Sequence, residues 1–193
     1  LSLDDNSEQD STQYDDTQDN DIEFDDIQKS MIIYGIASAM SYLHSRNIIH
    51  GNLNTSNILL DYKFHPKLVN YGIEDVFNGR RYIRKRVVPS TTPHKCDINT
   101  KEYDIRSFAL VVYEIITNAK LANPQIFFGN YENHKTSLDY RLLPKAYCEL
   151  IEKCLSSNPP TFDEIVHELK ENSGFIADTE NKYKSFIEFI ESS

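Results

Sequence analysis

The segment DIRSFALVVYEIIT, residues 104–117, limits the possible folds of this chain more than any other feature. At helical spacing its apolar side chains lie on nearly all sides of the helix rather than along one stripe. These side chains are Ile105, Phe108, Val111, Val112, Ile115 and Ile116. Such a helix is buried on most sides, so other elements must surround it. With 193 residues, the chain is long enough to form one domain around this helix.

Four other segments show the three- and four-residue spacing of apolar residues that predicts helices. The first covers residues 27–45, and Asn47 can end it. The second covers residues 147–154, and the third begins at the capping box formed by Thr161 and Glu164. A final helix is expected over residues 182–190. The apolar residues that define the first three are Ile33, Ile36, Met40, Leu43, Tyr147, Leu150, Ile151, Cys154, Phe162, Ile165 and Leu169.

Three short apolar runs follow the first helix, at residues 48–49, 58–60 and 68–69. Each has the length of a strand, and none is long enough to support an independent sheet. Residues 78–97 contain Gly79, Pro89 and Pro93 and are expected to form an extended loop. The predicted fold is therefore mainly α, with a few short strands.

The negative charge of the chain is concentrated in one segment. Residues 1–28 contain eleven acidic residues and no Lys or Arg, so the net charge of -10 becomes +1 for residues 29–193. A nearly neutral globular part excludes a strongly basic nucleic-acid-binding domain. We expect residues 1–26 to form a solvated, disordered acidic segment. The longest apolar run, residues 31–40, is too short to span a membrane, and three cysteines without a CxxC pair favour a cytoplasmic location.

The sequence IHGNLNTSNILL, residues 49–60, is followed ten residues later by Asn70-Tyr71-Gly72. This arrangement resembles the catalytic loop and the metal-binding turn of the protein kinases, whose signatures are H-R-D-L-x-x-x-N and D-F-G. Within that family it is most similar to the tyrosine-kinase-like serine/threonine group. The resemblance implies an α+β family fold represented only by the large lobe, over residues 27–172, with short hairpin strands around the loop. It also implies that the amino-terminal lobe is absent, that residues 1–26 follow the hinge and that residues 173–193 form a helical extension.

The resemblance assigns amide side chains to the positions that carry charge in the family. Asn52 lies at the catalytic Asp position, Asn54 at the Lys position and Asn70 at the Asp of the metal turn. Asn57 matches the family's second metal ligand, so Asn57 and Asn70 are the candidate metal ligands. An amide cannot accept a proton near neutral pH, and two neutral ligands without a carboxylate make a poor Mg²⁺ site. The resemblance therefore implies a loss of phosphoryl transfer.

Other positions match the family in structural roles. By resemblance, His50 and Tyr71 belong to an apolar column, Gly72 completes the metal turn, and Asp104 binds the backbone of the catalytic loop. Leu59 would form one face of an adenine pocket. The chain contains no G-x-G-x-x-G motif and no strand Lys, so we expect weak nucleotide binding and no cofactor.

Five cations lie close together in the segment that would follow the metal turn. They are Arg80, Arg81, Arg84, Lys85 and Arg86. One interpretation is a solvated loop, and another is a docking site for an acidic or phosphorylated partner or for the chain's own acidic segment.

These observations predict a catalytically inactive kinase-like domain, a pseudokinase, that acts as an interaction or regulatory module in phosphorylation signalling. Its expected partner is a protein, such as another kinase or its substrate, rather than a nucleic acid or a membrane. One alternative is an active or weakly active serine/threonine kinase that uses ATP and Mg²⁺. A second alternative is a kinase fragment without a function.

Overall fold

The computed structural model of the protein describes residues 23–71, 100–122, 138–175 and 180–192. These residues form a mainly helical fold with one two-stranded sheet, which confirms the predicted fold class. The helices are α1 (Asp26–Ser45), α2 (Lys101–Thr117), α3 (Lys145–Leu155), α4 (Phe162–Glu171) and α5 (Glu180–Glu191). The strands are β1 (Ile58–Leu60) and β2 (Pro66–Leu68), and single 3-10 turns occur at Thr55–Asn57, Tyr140–Leu142 and Ser173–Phe175.

Helix α1 begins at a capping box and runs through the core. The Asp25 carboxylate accepts the backbone N–H of Gln28, and the Gln28 side chain accepts the backbone N–H of Asp25. Every residue from 29 to 37 is buried, including Lys29, whose Nζ donates to the carbonyl of Ile116 at 3.2 Å. The helix is followed by Asn47 with φ 55°, a left-handed conformation that Asn tolerates better than most residues.

Helix α2 is the segment whose apolar residues surround its axis, and it is buried on most sides as predicted. It begins at Lys101, three residues before the predicted start, because the Thr100 hydroxyl accepts the N–H of Tyr103 at 3.1 Å. Helix α2 packs against α1 and α3, while α1 also packs against α4 and α5. The two apolar helices thus share one core, and the amphipathic helices cover it.

Strands β1 and β2 form an antiparallel hairpin in which Ile58 pairs with Leu68 and Leu60 with Pro66. The prediction of a strand at residues 48–49 was wrong, because the N–H of Ile48 donates to the carbonyl of Leu43 and closes the end of α1. The last predicted strand is also displaced: β2 covers 66–68, and Val69 lies outside it. At residues 48–49, hydrogen bonding to the end of a helix therefore decides the structure, and the spacing of apolar residues does not indicate such a bond.

Helix α5 packs into the same core as the other helices. Its side chains Tyr183, Phe186 and Ile187 are buried. The sequence predicted a helix here and treated residues 173–193 as an extension of the main domain. Among the described helices, none combines the length and the apolar character needed to cross a membrane.

Candidate functional site

The carboxylate of Asp104, in α2, is fully buried and accepts three hydrogen bonds. Its Oδ2 accepts the backbone N–H of His50 at 2.8 Å and contacts Nε2 of His44 at 2.9 Å. Its Oδ1 accepts the backbone N–H of Gly51 at 2.9 Å. Since a carboxylate only accepts hydrogen bonds, the Nε2 of His44 is the donor. The buried charge is compensated by these three donors, which fix the loop after α1 against α2.

The loop turns sharply where it meets Asp104. Gly51 has φ 71°, in the left-handed region where a side chain is strained and glycine is not. The positive φ lets two consecutive N–H groups, those of His50 and Gly51, reach the same carboxylate. This is the contact to the loop backbone that the resemblance assigned to Asp104.

The imidazole of His50 is buried, with 1% of its surface exposed. Burial lowers the pKa of His50 from its ordinary value, although the negative charge of Asp104 acts in the opposite direction. Its Nδ1 accepts the N–H of Asn52 at 3.3 Å, and its ring meets the ring of Tyr71 edge-on at 6.4 Å. The structure thus brings His50 and Tyr71 together, although Tyr71 itself is 49% exposed.

Three asparagines are joined by hydrogen bonds across the candidate site. Nδ2 of Asn70 donates to Oδ1 of Asn57 at 2.9 Å, and Nδ2 of Asn57 donates to the backbone carbonyl of Asn52 at 2.7 Å. Asn57 is buried, whereas Asn52 and Asn70 are exposed. Asn70 has φ 62°, and its left-handed backbone follows directly after Val69. The oxygen of Asn57 therefore already faces an N–H donor.

Asn54 completes this group of amides on the side of Asn52. Its Nδ2 donates to the backbone carbonyl of Asn52 at 2.9 Å and to Oδ1 of Asn52 at 3.1 Å. Its Oδ1 accepts the N–H of Ser56 at 3.0 Å and caps the 3-10 turn that follows. We call Asn52, Asn54, Asn57 and Asn70 the amide cluster. Its members are linked by hydrogen bonds to one another's side chains or backbone, and they carry no charge.

The amide cluster does not fit the donor set that Mg²⁺ requires. Mg²⁺ is held in proteins by one or two carboxylates, which balance its charge, and the cluster has none. The Asn57 oxygen is engaged by Asn70 rather than turned toward an open position. Across the part of the chain that the structure describes, no group of three or more His, Cys, Asp or Glu side chains is placed to hold a metal ion.

Leu59 lies in the middle of β1 and is 55% exposed. Its neighbours Ile58 and Leu60 are half-buried against the core because successive side chains of a strand point to opposite faces. An exposed apolar side chain at this position is compatible with an adenine face or with a protein contact.

A model of the family described as protein tyrosine and serine/threonine kinase matches residues 12–169 of the chain. The chain belongs to the protein kinase family. The predicted family is thereby confirmed.

Several protein kinases are similar to this kinase-family chain. It is 28% identical over 166 residues to leaf rust 10 disease-resistance locus receptor-like protein kinase-like 1.1 of Arabidopsis thaliana, covering 69% of this chain and 26% of that protein. It is 30% identical over 155 residues to a probable serine/threonine-protein kinase of Dictyostelium discoideum, covering 72% and 20%. It is 27% identical over 164 residues to human receptor-interacting serine/threonine-protein kinase 1, covering 69% and 24%. The chain spans about a quarter or less of the length of these relatives.

Sequence reasoning did not identify His44 as a partner of Asp104 in this kinase fold. His44 is buried at the end of α1, and its ring meets the ring of Phe162 edge-on at 4.9 Å. The only signal was a histidine on the apolar face of a helix, which does not identify a partner 60 residues away.

Two further contacts between distant elements of this kinase-family chain were also missed. The Thr55 hydroxyl donates to Glu114 Oε2 at 2.9 Å, which joins the 3-10 turn to α2. Arg106 donates from Nη1 and Nη2 to two carbonyls at the end of α3, at 3.0 and 2.9 Å. Both contacts link elements that are far apart in sequence, so local spacing gives no indication of them.

Some of the expected site residues lie outside the described part of this kinase-family chain. Gly72 of the metal turn is one of them, as are all five cations of the basic segment. Those cations are Arg80, Arg81, Arg84, Lys85 and Arg86. The acidic residues before position 23 are outside it as well.

Proposed function

We propose that this kinase-family chain is a pseudokinase that acts as an interaction or regulatory module in phosphorylation signalling. The observation that supports this proposal best is the amide cluster. Asn52 replaces the family's base with a group that accepts no proton near neutral pH, which removes a contribution of about 100- to 10,000-fold to the rate. Asn54 and Asn70 bring no charge to the phosphates or to a metal ion.

The hydrogen bonds within the cluster strengthen this argument. Asn and Asp have nearly the same shape, so the loop keeps its fold around Asp104 while its charges are lost. Each oxygen of Asn52, Asn54 and Asn57 already accepts an N–H from inside the loop region. A metal ion or a substrate hydroxyl would have to displace these bonds without the attraction that a carboxylate supplies.

We further propose a cytoplasmic protein partner, such as another kinase or its substrate, and neither a nucleic acid nor a membrane. The exposed side chains of Leu59 and Tyr71 would supply apolar contacts. The cations at residues 80–86 would attract an acidic or phosphorylated segment.

Phosphate transfer from labelled ATP to a general protein substrate tests the absence of activity. The full chain should transfer no more phosphate than its Asn52→Ala variant, with or without Mg²⁺. Transfer by the full chain that Asn52→Ala abolishes would instead establish the active serine/threonine kinase. That alternative is supported by the relatives' names and by the retention of Asn57 and Asp104.

A thermal-shift titration tests the role of charge at position 70. ATP with Mg²⁺ should leave the melting temperature of the full chain unchanged. Asn70→Asp replaces the N–H donor beside the Asn57 oxygen with a carboxylate, so this variant should gain stability when Mg²⁺ is added. If Asn70→Asp gains none, the missing charge at this position does not explain a loss of metal binding. Aggregation of the unmodified chain would favour the non-functional fragment.

Salt dependence tests the proposed role of the basic segment. A fluorescent acidic phosphopeptide should bind the full chain less tightly as salt is raised, and Arg84→Gln with Arg86→Gln should weaken it further. Lys145→Gln, at an exposed site on α3, is the matched control and should change nothing. Binding that does not depend on salt would contradict this role.

A further inference from the structure

We infer that the C-terminal helix α5 positions the β1–β2 hairpin and, through it, the contact between Asn57 and Asn70. Helix α5 would thus support the candidate site, although it lies beyond residue 169, where the family match ends. This inference does not depend on whether the chain transfers phosphate.

The first contact joins α5 to the turn of the hairpin. The ring of His65 stacks on the ring of Phe189 at 4.8 Å with an interplanar angle of 27°, and it meets Phe186 at 5.2 Å. The backbone of His65 is itself fixed, because its N–H donates to the Asp61 carboxylate at 3.0 Å and its carbonyl accepts the N–H of Asp61. The aromatic side chains of α5 therefore contact a part of the hairpin that has a defined conformation.

The second contact joins α1, β2 and α5 at one point. A Cβ added to Gly35 would lie 2.5 Å from Cγ of Pro66 and 3.3 Å from Cζ of Phe186. Such distances mean that the backbone of α1, the proline of β2 and the phenyl ring of α5 are already in close contact. Tyr34 also meets Tyr183 edge-on at 6.0 Å and Phe186 at 6.3 Å. The absence of a side chain at Gly35 is what allows this approach.

Helix α5 is also joined to α4, so its position does not depend on the hairpin alone. The Tyr183 hydroxyl donates to the carbonyl of Leu169 at 3.3 Å, and Lys170 pairs with Glu191 at 2.6 Å on the surface. The ion pair is exposed and contributes little. The buried aromatic contacts therefore supply most of the attachment.

The hairpin connects these contacts to the amide cluster. Strand β1 begins directly after Asn57, and β2 ends two residues before Asn70. The Val69 N–H donates to the carbonyl of Asn57 at 3.0 Å, next to the side-chain contact at 2.9 Å. A two-stranded hairpin is marginally stable by itself and needs packing against other elements. Removal of the α5 contacts should consequently loosen the Asn57–Asn70 contact.

Amide hydrogen exchange measured by NMR on the full chain tests this inference. The measured quantity is the exchange rate of the Val69 amide divided by that of Met40, which is fully buried in the C-terminal half of α1. Phe186→Ala should raise this ratio about tenfold, because local opening of the hairpin becomes easier than opening of the core. Phe175→Ala, which removes another buried phenyl ring that packs on Tyr147, is the matched control and should leave the ratio unchanged.

A ratio that rises equally in both variants, or in neither, overturns the inference. If Phe186→Ala does not fold, the same ratio is measured in variants of Phe189, whose side chain is half-exposed. Phe189→Ala should raise the ratio about threefold, and Phe189→Tyr, which keeps the stacked ring, should restore the original value. An unchanged ratio in Phe189→Ala then counts against the inference.

Discussion

Replacing Asp104 with asparagine removes a single charge from the centre of the candidate site with almost no change in shape. In the folded chain, the carboxylate accepts hydrogen bonds from the backbones of His50 and Gly51 and from the ring of His44. An asparagine side chain has one oxygen and one NH₂ group, so it can accept on one side only. With its oxygen toward His44 and His50, its NH₂ group would face the N–H of Gly51.

The expected loss of stability follows from these contacts. Two charge-assisted hydrogen bonds become neutral ones, and the buried N–H of Gly51 is left unsatisfied, which together cost about 2–6 kcal/mol. Removal of a buried charge also removes its desolvation penalty, which offsets part of this cost. We therefore expect Asp104→Asn to lower the free energy of unfolding by about 2–4 kcal/mol, a large part of the stability of a typical domain.

Urea unfolding of the full chain, followed by circular dichroism, measures this change. Amide exchange at His50 and Gly51 should accelerate more than exchange in α3, because the lost contacts are local. Asp139→Asn is the control, since that carboxylate pairs with Arg141 on the surface, and it should leave the midpoint nearly unchanged. A loss for Asp104→Asn below about 1 kcal/mol, or one equal to the control, would refute the reasoning.

Three further predictions concern packing, pH and a helix end. Gly35→Ala should lower the free energy of unfolding by about 1–3 kcal/mol because the added Cβ would clash with Pro66, and this outweighs the higher helix propensity of alanine. A gain in stability, measured by urea unfolding, would contradict this. The unfolded chain binds a proton at His50 near pH 6.5, whereas the folded chain binds it only at lower pH. The free energy of unfolding should therefore fall as pH decreases below about 6.5, and His50 contributes at most about 1.4 kcal/mol per pH unit to this fall. In His50→Phe, the free energy of unfolding should depend less steeply on pH. Arg106→Met removes two hydrogen bonds to carbonyls at the end of α3 and should cost about 1–3 kcal/mol in the same assay, so an unchanged midpoint would contradict their role.

The helices were predictable because their signals are local. The capping box at Thr161 and Glu164 begins α4, and the spacing of residues 147–154 matches the buried face of α3. Helix α1 ends close to its predicted boundary for the same reason. By contrast, the strand expected at 48–49 is absent because its backbone closes the end of a helix, and apolar runs of two residues do not distinguish these cases.

The candidate site, too, was predictable from the sequence only in part. The order and spacing of residues 49–72 identified the loop, and the amides at positions 52, 54, 57 and 70 could be read directly from the sequence. The hydrogen bonds among those amides could not, because they depend on side-chain orientations and, for Asn57 and Asn70, on the hairpin that brings together residues 13 positions apart. The roles assigned to the amides remain predictions.

The sequence alone determined which chemical groups this protein has. They are a loop of kinase type with neutral amides at the positions that carry charge in the family, and one apolar helix that other elements must surround. Only the tertiary structure decided which distant groups meet. It paired Asp104 with His44, and it packed α5 against α1 and the hairpin. The physical reason is range. Helix caps and apolar spacing act between residues a few positions apart, whereas the compensation of a buried charge and the packing of aromatic rings depend on where the completed chain folds back on itself.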